Sequence, residues 1–172
     1  MPDFTTITFR RGDIEYGLSL GLEEEQLSEG IIDFKIRAFR RGREPGQEFV
    51  VVSHITIEED EEKGALLKIA IGDEDVFTLP LAEVFDEESV IGRALESVHA
   101  TVFGGDLLIG CLVRSGCSAT IGEIISCKND TAAIPWFRRR AVAMGKCLRQ
   151  HIPEILMKTM FRATRCVLQA GF

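Results

Sequence analysis

Apolar and polar residues alternate through much of the first half of the chain. In IIDFKIRAF, Ile32, Phe34, Ile36 and Ala38 fall on one side, and Asp33, Lys35 and Arg37 on the other. A period of two predicts a half-buried strand. EFVVVSHITIE sets Phe49, Val51, Ile55 and Ile57 against Val50, Val52, His54 and Thr56, an arrangement apolar enough for both faces to be covered. DIEYGLSL sets Ile14, Tyr16, Leu18 and Leu20 against Glu15, Gly17 and Ser19, and ALLKIAIG and DVFTLPL continue in kind. The connectors RRGREPGQ and EEDEEKG are short and rich in Gly, Pro and charge. Short links between alternating runs favour antiparallel hairpins over crossover helices. The expectation is an antiparallel meander of five to six strands with one face on a core.

The period then changes. Between Pro80 and Phe103, Val90, Ile91, Ala94, Leu95, Val98 and Val102 recur at helical spacing, with Asp86 placed to cap and Gly104–Gly105 placed to stop the helix. DLLIGCLVR and SATIGEIISC, studded with Gly and Ser, read as two further strands joined at Ser115–Gly116. Ile134 to His151 reads as a helix with Pro135 in its first turn and an apolar face of Phe137, Ala141, Met144, Leu148 and Ile152. Pro153 should break or kink it. Glu154 to Ala170 reads as a last helix closed by Gly171, apolar along Leu156, Met157, Met160, Phe161, Ala163, Val167 and Leu168. The fold class expected is α+β: the meander, a middle helix, two further strands, and two C-terminal helices packed on the sheet.

Size and composition agree with one domain over 1–172, since 45% of the 172 residues are hydrophobic. Charge divides the domain. Residues 1–104, the acidic β-rich half, carry 10 Lys/Arg and 23 Asp/Glu; residues 105–172, the basic, helix-ending half, carry 10 and 4. The net values of −13 and +6 make up the total of −7, so the C-terminal segment should seek anions. EEDEE at Glu58–Glu62 has no calcium-loop spacing and reads as a solvated hairpin tip. No apolar segment follows a basic start, and the run Leu107–Cys127, interrupted by Arg114 and Glu123, reads as strands rather than a membrane span. A cytoplasmic setting is expected. There the five cysteines, an odd number without paired zinc spacing, should be small buried hydrophobes rather than disulfides, with a cluster or redox role as the alternative.

The segment VHATVFGGDLLIG is the strongest catalytic candidate. It joins His99, a Gly pair and Asp106 at an expected helix-to-strand junction, where the Asp would orient the His for base work. Over about ten residues this H…FGG segment resembles that of hotdog-fold thioesterases. The resemblance implies acyl-thioester hydrolysis. In that family the Gly pair enters the central helix and more strands follow; here it is expected to end a helix, so no membership is assigned. His54, His99 and His151 lie far apart without HxH or HExxH spacing, so neither metal nor cofactor is expected. No phosphate-cradling glycine pattern or nucleophile elbow is present.

The candidate anion- or partner-binding residues are Arg138, Arg139, Arg140, Lys146, Arg149, Lys158, Arg162 and Arg165. With Trp136 and Phe137 alongside for stacking, they offer a route to nucleic acid, opposed by the acidic first half. A membrane surface is a further, weaker option. The leading expectation is a non-catalytic module that binds a protein partner or a copy of itself, with a symmetric dimer as the default.

Overall fold

In the computed structural model, residues 5–23, 29–60, 62, 64–72, 74–134 and 137–171 are described. Six strands come first: β1 (Thr5–Arg11), β2 (Ile14–Glu23), β3 (Ile32–Arg41), β4 (Glu48–Asp60), β5 (Gly64–Ile71) and β6 (Glu74–Pro80). They form one antiparallel sheet in sequence order, as alternation and short connectors require. The alternation sets the register. Phe34 lies opposite Leu22 on β2 and Ile55 on β4, and Ile36 lies opposite Leu20 and Ser53, so the apolar positions share one face. Leu18, Leu20, Phe34, Ile36, Ala38, Val51, Ile55, Ile57, Leu67, Ile69 and Ile71 are all buried there. On the other face Val50, Val52, His54 and Thr56 are only half-buried, so β4 is covered fully on one side.

The helices follow the sheet. α1 (Glu87–Glu96) begins at Asp86, whose carboxylate accepts from the Glu88 N–H, and it ends before Gly104 rather than at it. α2 (Leu107–Asp130) runs 24 residues, α3 spans Phe137–Gln150 and α4 Ile152–Gln169. The helical path breaks at His151, between α3 and α4, two residues before Pro153, which sits in the first turn of α4, where its missing N–H has no intrahelical partner to lose.

The two further strands expected over residues 107–127 do not exist: the whole stretch lies in α2. The physical reason is position. α2 packs across β2, β3 and β4 on one side and against α4 on the other, with α1 and α3 flanking it. A helix enclosed on nearly every side needs no polar face, so its sequence shows no clean 3.6-residue stripe. Its glycines are sites of close approach rather than turns: a Cβ on Gly116 would meet Ile36 at 2.9 Å and Leu18 at 3.2 Å.

The cysteine expectation is also overturned. Packing α2 between α3 and α4 brings two pairs within bonding reach, and Cys111–Cys166 and Cys127–Cys147 are disulfides with Cα–Cα separations of 5.8 Å each. Cys117 is a free thiol, and burial pushes it up to about 12, as an inert core residue requires.

Candidate functional sites

Two regions were marked by sequence, and the structure treats them differently. Gly104, at φ 62°, caps the end of the single helical turn Ala100–Phe103, and Gly105, at φ 70°, links that turn to the N-cap of α2. Asp106 is the N-cap of α2: Oδ1 accepts from the Leu108 and Ile109 N–H groups at 2.9 and 3.4 Å. Oδ2 accepts from Tyr16 Oη at 3.0 Å and pairs with Arg40 at 2.5 Å. Both oxygens are therefore engaged in holding the start of α2 to β2 and β3. Burial, then the hydrogen bond and negative charge of Asp106, raise the Tyr16 phenol against the opposing pull of Arg40. An open cleft of ≈ 610 Å³ lies over this group, walled by Tyr16, Arg40, Gly105, Asp106 and Leu107. His99 is exposed at the start of a single helical turn, and among the described residues no hydrogen bond joins it to Asp106.

The basic residues divide into three sets. Arg162 reaches inward: it pairs with Glu87, lies 3.8 Å from Glu88, and donates to Ser118 Oγ at 2.5 Å. Ser118 in turn donates to Glu88 at 2.8 Å, so α4, α2 and α1 share one polar node. Lys158 pairs with Glu123 at 2.6 Å, and Arg140 donates to the Lys128 carbonyl at 3.4 Å. Arg139, Lys146, Arg149 and Arg165 are exposed, with the Arg165 guanidinium 5.8 Å from the Phe161 ring centroid. Pro135, Trp136 and Phe172, and the side chains of Phe137 and Arg138, lie outside the described residues.

A third arrangement was not anticipated. Glu123 and Cys127 stand four residues apart on α2, and Cys147, near the end of α3, stands four residues before His151, the N-cap of α4. Helical spacing puts each pair on one face, and packing turns the faces together. Glu123 is 2% exposed and accepts from Lys158 Nζ at 2.6 Å, with His151 Nδ1 also 2.6 Å away. Burial raises the Glu123 carboxyl, but the hydrogen bonds from Lys158 and His151, and then their charges, outweigh it and hold it below its ordinary value. Glu154 stands 3.5 Å from the same imidazole. One ligand atom each from Cys127, Cys147 and His151 lie within 4.8 Å of one another. The histidine spacing that argued against metal was read along the chain, whereas this cluster is assembled across two helices. The visible hint was C-x-x-x-H at Cys147–His151.

α2 is also long and apolar enough to cross a membrane, with a mean hydropathy of 1.4 over an 18-residue window, of which 72% is buried within the fold. The chain matches no family model, no curated protein and no solved structure.

Proposed function

We propose that this protein is a non-catalytic assembly module that associates with a second copy of itself through the outer face of α4. One observation carries the reading. Met157, Phe161 and Leu168 follow at i, i+4 and i+11 with Met160 beside them, and all are exposed, Met157 and Phe161 by 71% and 69%. Contiguous exposed apolar side chains of this size mark interaction surfaces more often than idle ones. Methionine and phenylalanine in particular suit an adaptable protein contact.

The inner face of α4 is fixed by the Arg162–Glu87 pair and the Cys111–Cys166 disulfide, so the outer stripe is presented on a rigid element. Charge favours a copy as occupant. Residues 105–172 carry a net +6 and residues 1–104 a net −13, so two chains can set the basic flank of one against the acidic half of the other. A two-fold pairing satisfies both contacts at once.

Light scattering coupled to size exclusion over a range of concentrations and salt tests the proposal. The wild type should run as a dimer that weakens as salt rises, and Phe161→Glu should run as a monomer. Because Phe161 is exposed in the single chain, that variant should match the wild type within about 0.5 kcal/mol at dilutions where both are monomeric, and fall below it where the wild type is dimeric. A wild type that stays monomeric at high protein concentration and low salt overturns the reading.

A further inference from the structure

We propose that Cys127, Cys147 and His151 form a divalent-metal site, of zinc type, whose availability is set by the thiol–disulfide state of the two cysteines. The two disulfides differ in what stands beside them. Beside Cys111–Cys166 the nearest polar partner is a hydroxyl, Ser115 Oγ, 3.4 Å from Cys166 Sγ. Beside Cys127–Cys147 stands an imidazole, with its ligand nitrogen and both sulfurs within 4.8 Å of one another. Two thiolates and an imidazole are a donor set that suits zinc. Tetrahedral bonds of about 2.0–2.3 Å place neighbouring ligand atoms about 3.3–3.8 Å apart. Opening the sulfur pair to that separation asks for small side-chain movements from these helix positions.

The surroundings complete the site. Glu123 stands 2.6 Å from His151 Nδ1; with that nitrogen engaged, Nε2 would be the one to take the metal, the role division carboxylates impose on metal-bound histidines. Lys158 holds the other oxygen of that carboxylate at 2.6 Å. Two thiolates and Glu123 balance Lys158 and a dication around a neutral imidazole, and Glu154, 3.5 Å from the ring, adds one further negative charge at the exposed side. Cys127 is buried, while Cys147 and His151 are half-buried, which leaves one side for entry and a fourth position for water.

The chemistry takes two balanced steps. A dithiol reductant gives two electrons and two protons to the Cys127–Cys147 bond, leaving two thiols and becoming a disulfide itself. The dication then displaces one proton from each thiol, forming two metal–sulfur bonds and releasing two protons. The disulfide and the metal are thus mutually exclusive occupants of one interface between α2 and α3.

The test uses the full chain reduced with a trialkylphosphine, then titrated anaerobically with Co²⁺ and, in competition with a chromogenic chelator, with Zn²⁺. Reduced wild type and the double variant Cys111→Ser/Cys166→Ser should each take one equivalent, with the absorption of a tetrahedral cobalt–thiolate centre. Cys127→Ser and Cys147→Ser should lose the thiolate spectrum. His151→Ala, which keeps both thiols, should bind at least about 10-fold more weakly, and Glu123→Gln about 10–100-fold. The unreduced protein should give no such spectrum. Metal-free far-ultraviolet circular dichroism of each variant separates lost ligands from lost fold. No binding by reduced wild type, or equal loss on removing Cys111 and Cys166, overturns the assignment.

Discussion

Glu123→Gln in the disulfide-bonded protein probes the polar cluster most directly. In the wild type this buried carboxylate accepts a 2.6 Å bond from Lys158 and lies 2.6 Å from His151 Nδ1. The substitution keeps size and one acceptor oxygen but removes the charge and one charge-assisted bond. A hydrogen bond to a charged group contributes about 1.5–3 kcal/mol. Breaking a fully buried pair costs about 3–5 kcal/mol, but the Lys158 side chain is 45% exposed and can recover water, so the lower range applies. The expected loss is therefore about 1.5–3 kcal/mol at pH 7, read from urea unfolding.

The sign of the pH dependence follows from the lowered folded-state value. A carboxyl held below its ordinary value stabilises the fold fully above the unfolded value of about 4.3, and that contribution is lost as pH falls through the folded value. The gap between wild type and Glu123→Gln should be full at pH 7 and shrink below about pH 4. A double-mutant cycle with Lys158→Met should return a coupling above about 0.5 kcal/mol. A gap under about 0.5 kcal/mol at pH 7, or one unchanged at pH 3.5, would refute the reasoning.

Other substitutions separate competing effects elsewhere in the fold. Asp106→Ala removes the α2 cap and the Arg40 partner together and should cost about 2 kcal/mol in thermal unfolding, whereas Asp106→Asn keeps a capping oxygen and should cost about 1 kcal/mol or less. Gly116→Ala sets a helix-propensity gain of about 1 kcal/mol against overpacking of about 1–3 kcal/mol on Ile36 and Leu18, so chemical denaturation should show a net loss. Gly116→Val should lose more; a stabilised alanine variant would mean the sheet recedes from α2 freely. Chain entropy assigns about 4 kcal/mol to the link across 55 residues and about 3 kcal/mol to the one across 20. Cys111→Ser/Cys166→Ser should therefore lower the melting temperature more than Cys127→Ser/Cys147→Ser.

The sheet was legible because each strand buries one face, and a one-sided environment leaves a period of two, as in Ile32–Ala38. α2 was illegible for the complementary reason. Its neighbours enclose it, and Gly110, Gly116 and Gly122, which look like breaks, are spaces left for Phe103, Ile36 with Leu18, and Glu87. The charge division was visible, but which cation meets which acid was not: Arg162 and Glu87 are 75 residues apart. Asp106 was read as leading into a strand, whereas it caps α2, and its partners Tyr16 and Arg40 come from strands far upstream. The grouping of Cys127, Cys147 and His151 was not legible because spacing rules describe one local segment, and here α2 and the α3–α4 junction bring the residues together.

The order of elements along the chain has a consequence for biosynthesis. All six strands precede the helix that covers them, and each pairs with its sequence neighbour. Such local pairing lets the sheet assemble as it leaves the ribosome. Its apolar face, with Phe34, Ile36 and Ile55, then waits for α2, which ends fifty residues beyond Pro80. At synthesis rates of about 5–20 residues per second that interval is roughly 3–10 s. During it the nascent chain displays a greasy sheet with no lid, the kind of surface that holdase chaperones bind.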